Sequence, residues 1–251
     1  MGKLMKYELK KQLTSKIVVA ILAAIAEAAF IISVLIDDSE WAGVSLACML
    51  MLSVFGLCYF SFETIITYSN DLKTKQSYML FLVPRNTYQI VGAKMLTTVL
   101  QIVGAGAAFA AIMVGDVFLI FAKNQDIEEF FEIVNDFLTA LGMRVHLSDV
   151  IYIVALILIT WLEFVLMAIF AITLSTTFFA NTKYKGVISF GIYFVLNYLL
   201  NKVANFVSDG FGEKEYLMIS TDGWVYIGIY TAAMLLWFFG TSWLLDKKVS
   251  V

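Results

Sequence analysis

The sequence predicts an all-α integral membrane protein: six transmembrane helices forming a single transmembrane domain over residues 1–251. Three observations lead there. Hydrophobic residues make up 61% of the 251 residues and charged residues 15%, against roughly 25% charge in a soluble domain. Apolar runs long enough to cross a ~30 Å hydrocarbon core as helix recur six times. Lys and Arg gather on alternate loops, as they do on the cytoplasmic side of a membrane. The same composition excludes other classes. A single Pro beside 21 Phe and 12 Tyr does not describe a disordered chain. A net charge of −3 leaves no nucleic-acid footprint. Cys48 and Cys58, ten apart in one apolar run, form neither a disulfide framework nor a closed zinc site.

The elements follow in order. Residues 4–16 place Met5, Leu9 and Leu13 at four-residue intervals beside Lys6, Lys10 and Lys11, the pattern of an amphipathic helix on the inner leaflet or of a plain orientation signal. The six spans cover about 17–36, 42–62, 95–121, 150–180, 187–207 and 224–245. The third and fourth exceed an upright crossing and must tilt or project. The basic start and Ala24-x-Ala26 suit a signal peptide, but the apolar run continues to Ile36, so it reads as the first span. Thirteen of the 17 Lys and Arg fall at the two termini and in the loops after spans two and four, which predicts both termini in the cytoplasm. The opposite loops are acidic. Residues 126–142 there form an amphipathic pattern with an Asp126 start and a Gly142 stop, a helix of about four turns by its 3.6-residue period. It could lie on the leaflet, roof the bundle or contact another subunit.

Two sets of residues stand out as candidate sites. The first is the basic-side loop 69–94. Its apolar run Tyr78-Met79-Leu80-Phe81-Leu82-Val83 sits between charged flanks and ends at Pro84 and Arg85. The run is too short to span. It is a re-entrant piece, an interfacial turn, or a surface that docks on a partner. The second set is polar. Glu27 and Glu163 fall at mid-depth, Asp116 and Lys202 toward the acidic side, and Glu63 just past the basic end of span two; Asn197, Asn201 and Lys202 suit one stripe on span five. A charge at mid-bilayer costs about 2.5–3.5 kcal/mol on insertion scales. Such groups line a path, bind helices together, or stay protonated. Asp116 and Lys202, at similar depth, are a candidate pair.

Absent motifs narrow the chemistry. The sequence holds no G-x-x-x-x-G-K-[ST] to cradle ATP phosphates, no H-E-x-x-H, and one histidine, His146. No catalytic residues, cofactor or metal site are expected on this chain. The two halves show no repeat that would mark a secondary transporter.

The layout resembles the membrane (permease) subunits of type-2 ABC exporters, the six-span permeases of the bacterial cytoplasmic membrane. The start MGKLMKYELKKQ, the segment with Asp71, Lys75 and YMLFLVPRNTYQIVGAK, and the ending LLDKKVSV carry the resemblance. It implies a multi-pass homodimer, or a pair with a related permease, working with a separate soluble ATPase subunit that holds ATP and Mg. It also implies that the loop between spans two and three is a coupling helix, with Tyr78, Met79, Leu80, Phe81, Pro84 and Arg85 docking on the ATPase. In that family an outer helical region often lies between the last two spans, whereas here it is read between spans three and four. The implied cargo is an amphipathic antimicrobial or toxin peptide. Two other readings stay open: an ion- or proton-coupled transporter or channel using the acids, and a non-transporting membrane partner for immunity or assembly.

Overall fold

The computed structural model describes residues 2–36, 38–73, 86–124, 147–179, 182, 184–209 and 221–248. All of its elements are helices: α1 (Gly2–Lys11), α2 (Leu13–Ile36), α3 (Ser39–Lys73), α4 (Thr87–Asn124), α5 (Leu147–Phe178), α6 (Lys185–Asp209) and α7 (Thr221–Lys248). Helices α2 to α7 are each long and apolar enough to cross a membrane. The chain is a six-span, all-α membrane protein. The docking residues 78–85 and the amphipathic segment 126–142 lie outside the described residues.

Several boundaries move from the sequence reading. The basic amphipathic segment breaks at Gln12, and the first spanning helix starts at Leu13 rather than 17. On α1 the most enclosed side chain is Glu8, not the Met5–Leu9 stripe. The larger shift is between spans two and three. α3 continues to Lys73 and α4 already starts at Thr87, so both ends of the expected loop 69–94 are helix. Their 35 and 38 residues extend about 52 and 57 Å at 1.5 Å per residue, well beyond a ~30 Å core. Both starts are capped. Asp38 Oδ1 accepts from the Trp41 amide at 3.2 Å, and the Asn86 carbonyl accepts from the Gln89 amide at 2.8 Å, which occupies donors and acceptors that a helix end leaves open.

The contacts divide the chain into two compact units, with α3 and α4 contributing to both. One holds residues 2–63 and 96–137, hence α1, α2 and the larger parts of α3 and α4. Its core joins Ala23, Met49 and Phe109, with Val19, Leu52 and Ile112 against them. Gly56 brings α3 close here: a Cβ at that position would stand 3.3 Å from Val19.

The other unit holds residues 64–95 and 138–251, hence the remaining turns of α3 and α4 with α5, α6 and α7. α5 is its centre and packs on both α6 and α7. From Val165 to Ile169 every side chain is buried, Met167 completely. A run buried on all faces is the mark of a helix surrounded by protein. Tyr68 joins Val165, Ile169 and Ile172 in the same cluster. At Gly240, α7 runs against the Phe170 ring, so that a Cβ there would meet ring carbon Cε2 at 2.8 Å.

That approach predicts a defined cost. Gly240→Val should lower the stability of the detergent-solubilised protein by about 1–3 kcal/mol, the usual range for overpacking. Phe170→Leu in the same chain should restore part of it, measured by thermal unfolding.

Candidate functional site

Polar groups in spanning helices are the candidate site, because hydrocarbon offers them no partner. Each falls into a separate setting.

Glu163 stands on α5, 4% exposed. The Trp237 indole Nε1 on α7 donates to its Oε1 at 3.0 Å, and the Trp237 ring rests 5.0 Å from Phe170. The carboxyl acts electrostatically on two further hydroxyls, Tyr193 on α6 and Tyr230 on α7.

From Tyr193 a polar ladder continues along α6. Asn197 Nδ2 donates to the Tyr193 hydroxyl at 3.4 Å, and Asn201 Nδ2 donates to Asn197 Oδ1 at 2.7 Å. α7 answers rung by rung. The Tyr230 hydroxyl donates to Asn201 Oδ1 and the Tyr226 hydroxyl to Asn205 Oδ1, both at 3.3 Å. Residues 193, 197, 201 and 205 recur at i+4 and so share one face of α6. From the first to the last the track runs about 18 Å at 1.5 Å per residue. Asn201 and Asn205 are exposed. Lys202, one position on from the ladder, is exposed as well. The sequence reading had Asn197, Asn201 and Lys202 but missed Tyr193, Asn205, Tyr226 and Tyr230. The i+4 spacing across Tyr and Asn together was the available signal.

In the other unit, Glu27 on α2 and Asp116 on α4 meet through their carboxyl groups. Asp116 therefore faces Glu27, where the sequence reading had paired it with Lys202. Glu63, from the same unit, takes a different partner: the Ser15 hydroxyl donates to its Oε1. The next residue, Lys16, donates to the Gln12 carbonyl at 3.1 Å and stands over the Phe60 ring at 5.7 Å.

At the base of the segment joining α3 to α4, Lys94 Nζ donates to Asp71 Oδ2 at 2.7 Å, with both side chains buried. The ammonium also stands 5.9 Å from the Tyr68 ring centre, and the Tyr68 hydroxyl lies 2.6 Å from the Thr173 hydroxyl on α5. Asp71 enters the sequence reading only as a family-like residue, and Lys94 as that and as one of the basic-side charges. Their pairing ties together residues 23 apart, which no local pattern reports. Among the described residues there is no cluster of His, Cys, Asp and Glu fit to hold a metal ion.

The Trp237–Glu163 bond yields a direct prediction. Trp237→Phe keeps a ring beside Phe170 but leaves a buried carboxyl oxygen without its donor, at a cost of about 1–3 kcal/mol. Adding Glu163→Met should recover much of that loss in a double-mutant cycle followed by thermal unfolding.

No protein-family model, curated protein or solved structure matches the chain.

Proposed function

We propose that the chain is the permease subunit of an ATP-driven exporter of the type-2 ABC kind, working as a pair with a separate soluble ATPase that binds ATP and Mg. The observation that carries this reading is the Asp71–Lys94 pair. α3 and α4 outrun a membrane's thickness, and a buried ion pair fixes them to each other where they lead into the segment with Tyr78, Met79, Leu80, Phe81, Pro84 and Arg85. A partner that pushes on such a segment moves two stiff helices rather than a slack loop. The Lys and Arg distribution supports placing this end, with both termini, in the cytoplasm. The tyrosine–asparagine ladder on α6 supports a polar route through the membrane, along which an amphipathic peptide could keep its polar groups satisfied.

A carrier driven by an ion gradient is the second reading, favoured by the Glu27–Asp116 contact. The two readings part on the partner. Purification of the tagged protein from its native cells in mild detergent, followed by mass spectrometry, should return a stoichiometric ATPase carrying a phosphate-binding loop. Phe81→Asp and Leu80→Asp should each reduce the co-purified ATPase at least about tenfold, as expected when an apolar anchor is lost from an interface, with the permease's elution profile unchanged. Retention of the ATPase by both variants overturns the docking assignment. Absence of any ATPase, together with uptake or efflux that follows an imposed proton gradient, moves the function to the carrier reading.

The ion pair has its own expected outcome. Asp71→Ala and Lys94→Ala should each destabilise the protein by about 3–5 kcal/mol, because each removes one partner of a buried ion pair. The double variant should fall short of the sum, as read from thermal unfolding.

A further inference from the structure

A cavity of about 600 Å³ lies within the unit formed by α1, α2 and the larger parts of α3 and α4. That size is within the roughly 300–1,000 Å³ of small-molecule sites. Its walls are apolar and small: Ala20, Ala23 and Ala24 from α2 face Gly104, Ala105 and Ala108 from α4. Nothing stands within 4 Å of a Cβ built on Gly104, so the space at that wall is open. Lys16 marks one end and Glu27 the other, eleven residues apart on α2, or about 16 Å at 1.5 Å per residue. The occupant's body is therefore long and apolar.

The polar atoms at the two ends specify its head. Gln101, 5% exposed, lines the cavity and gives its Nε2 to Gln12 Oε1 at 2.7 Å. Its own Oε1 has no hydrogen-bond partner among the described residues. At the far end no N–H or O–H donor among the described residues reaches Oε2 of Glu27, which lines the cavity, or Oδ1 of Asp116, the carboxyl against it. Each end thus carries an acceptor that no donor among the described residues meets. A buried acceptor left unmet costs about 1–3 kcal/mol, and a ligand that supplies donors recovers it. Lys16 is already engaged: Gln12 accepts from it through both its carbonyl and its Oε1, Phe60 covers it, and Glu63 acts on it electrostatically. An anionic head would meet an ammonium already engaged by Gln12 and Phe60 at one end and the Glu27 carboxyl at the other. A cationic head meets the Glu27 carboxyl, with Asp116 behind it, far from Lys16.

We propose that this cavity binds an elongated apolar molecule bearing an amine, with its ammonium on the Glu27 carboxyl, which Asp116 backs, and its body along the alanine–glycine walls. The site is independent of the exporter reading, since it uses none of the docking residues and none of the α6 ladder.

The test uses dodecyl probes that carry a photoreactive diazirine in the chain and end in an amine, a hydroxyl or a carboxylate. They are crosslinked to the full chain in membranes and mapped by peptide mass spectrometry. Labelling on α2 and α4 is normalised to labelling on lipid-exposed α6, which corrects for how much of each probe enters the bilayer. The expected result is labelling by the amine probe at least about tenfold above the carboxylate probe, as a charge-assisted hydrogen bond allows, and displaced by excess dodecylamine. Glu27→Gln should remove the preference while hydroxyl-probe labelling persists. Gly104→Phe should remove labelling by all three probes, and Ala24→Phe serves as a second block if that variant fails to assemble. Equal labelling by amine and carboxylate, the signature of a groove filled by lipid chains alone, overturns the proposal. So does an amine preference that survives Glu27→Gln.

Discussion

A polar group inside a bilayer has to be met by the protein, because hydrocarbon meets none of its hydrogen bonds. That constraint is visible in the contacts between this chain's helices. Lipid tails are as apolar as leucine, so helices in a membrane gain little by hiding apolar faces from one another. What draws them together is specific. Tyr68 reaches Thr173, Trp237 reaches Glu163, Asp71 takes Lys94 and Gln101 takes Gln12. Each bond joins residues distant in sequence, and in the first three a core helix or a helix end is placed by it. Small residues complete the arrangement where backbones approach, at Gly56 against Val19 and at Gly240 against Phe170.

Acidic side chains show how setting decides role. Glu163 and Glu27 both read from the sequence as mid-membrane glutamates. The first is closed in by an indole donor and the buried middle of α5, which is a structural environment that also opens onto the tyrosine–asparagine track. The second has another carboxyl as its neighbour and an apolar cavity beside it. The first is satisfied within the chain and the second still lacks a donor, and only the second invites a ligand.

The number and rough position of the spans were legible in the sequence, because hydropathy over about 20 residues is a local property that tertiary packing does not overrule. The ends of α3 and α4 were not. Residues 69–73 and 87–94 carry Asp71, Lys94 and several amides, and on composition alone they look like loop. In the structure both stretches are helical, and the two charges meet across 23 positions in a buried pair. The misassigned partner of Asp116 has a related cause. Counting residues along a span gives height in the membrane but not direction around the helix axis, so an opposite charge at the same height looked like the natural partner. Glu27 was the residue on the facing helix. On α6 the ladder was half visible, since its i+4 spacing lies in the sequence, while the tyrosines that complete it belong to α7.

The uneven burial of the spans also governs how freely the sequence can drift. Within the chain, 44% of the most apolar stretch of α5 is enclosed by protein, against 6% for α6. Hydrocarbon accepts any apolar side chain, so Phe190, Phe194, Val195 and Phe206 on α6 can exchange among themselves and with leucine or isoleucine at little cost. Val165 to Ile169 cannot, since each fits a shaped space. Over evolutionary time, substitutions should accumulate fastest on the lipid face of α6, leaving as its slow-changing positions the hydrogen-bonded rungs. The recognisable signature of such a protein is then a sparse set of polar and glycine positions spread across several helices, not a contiguous motif.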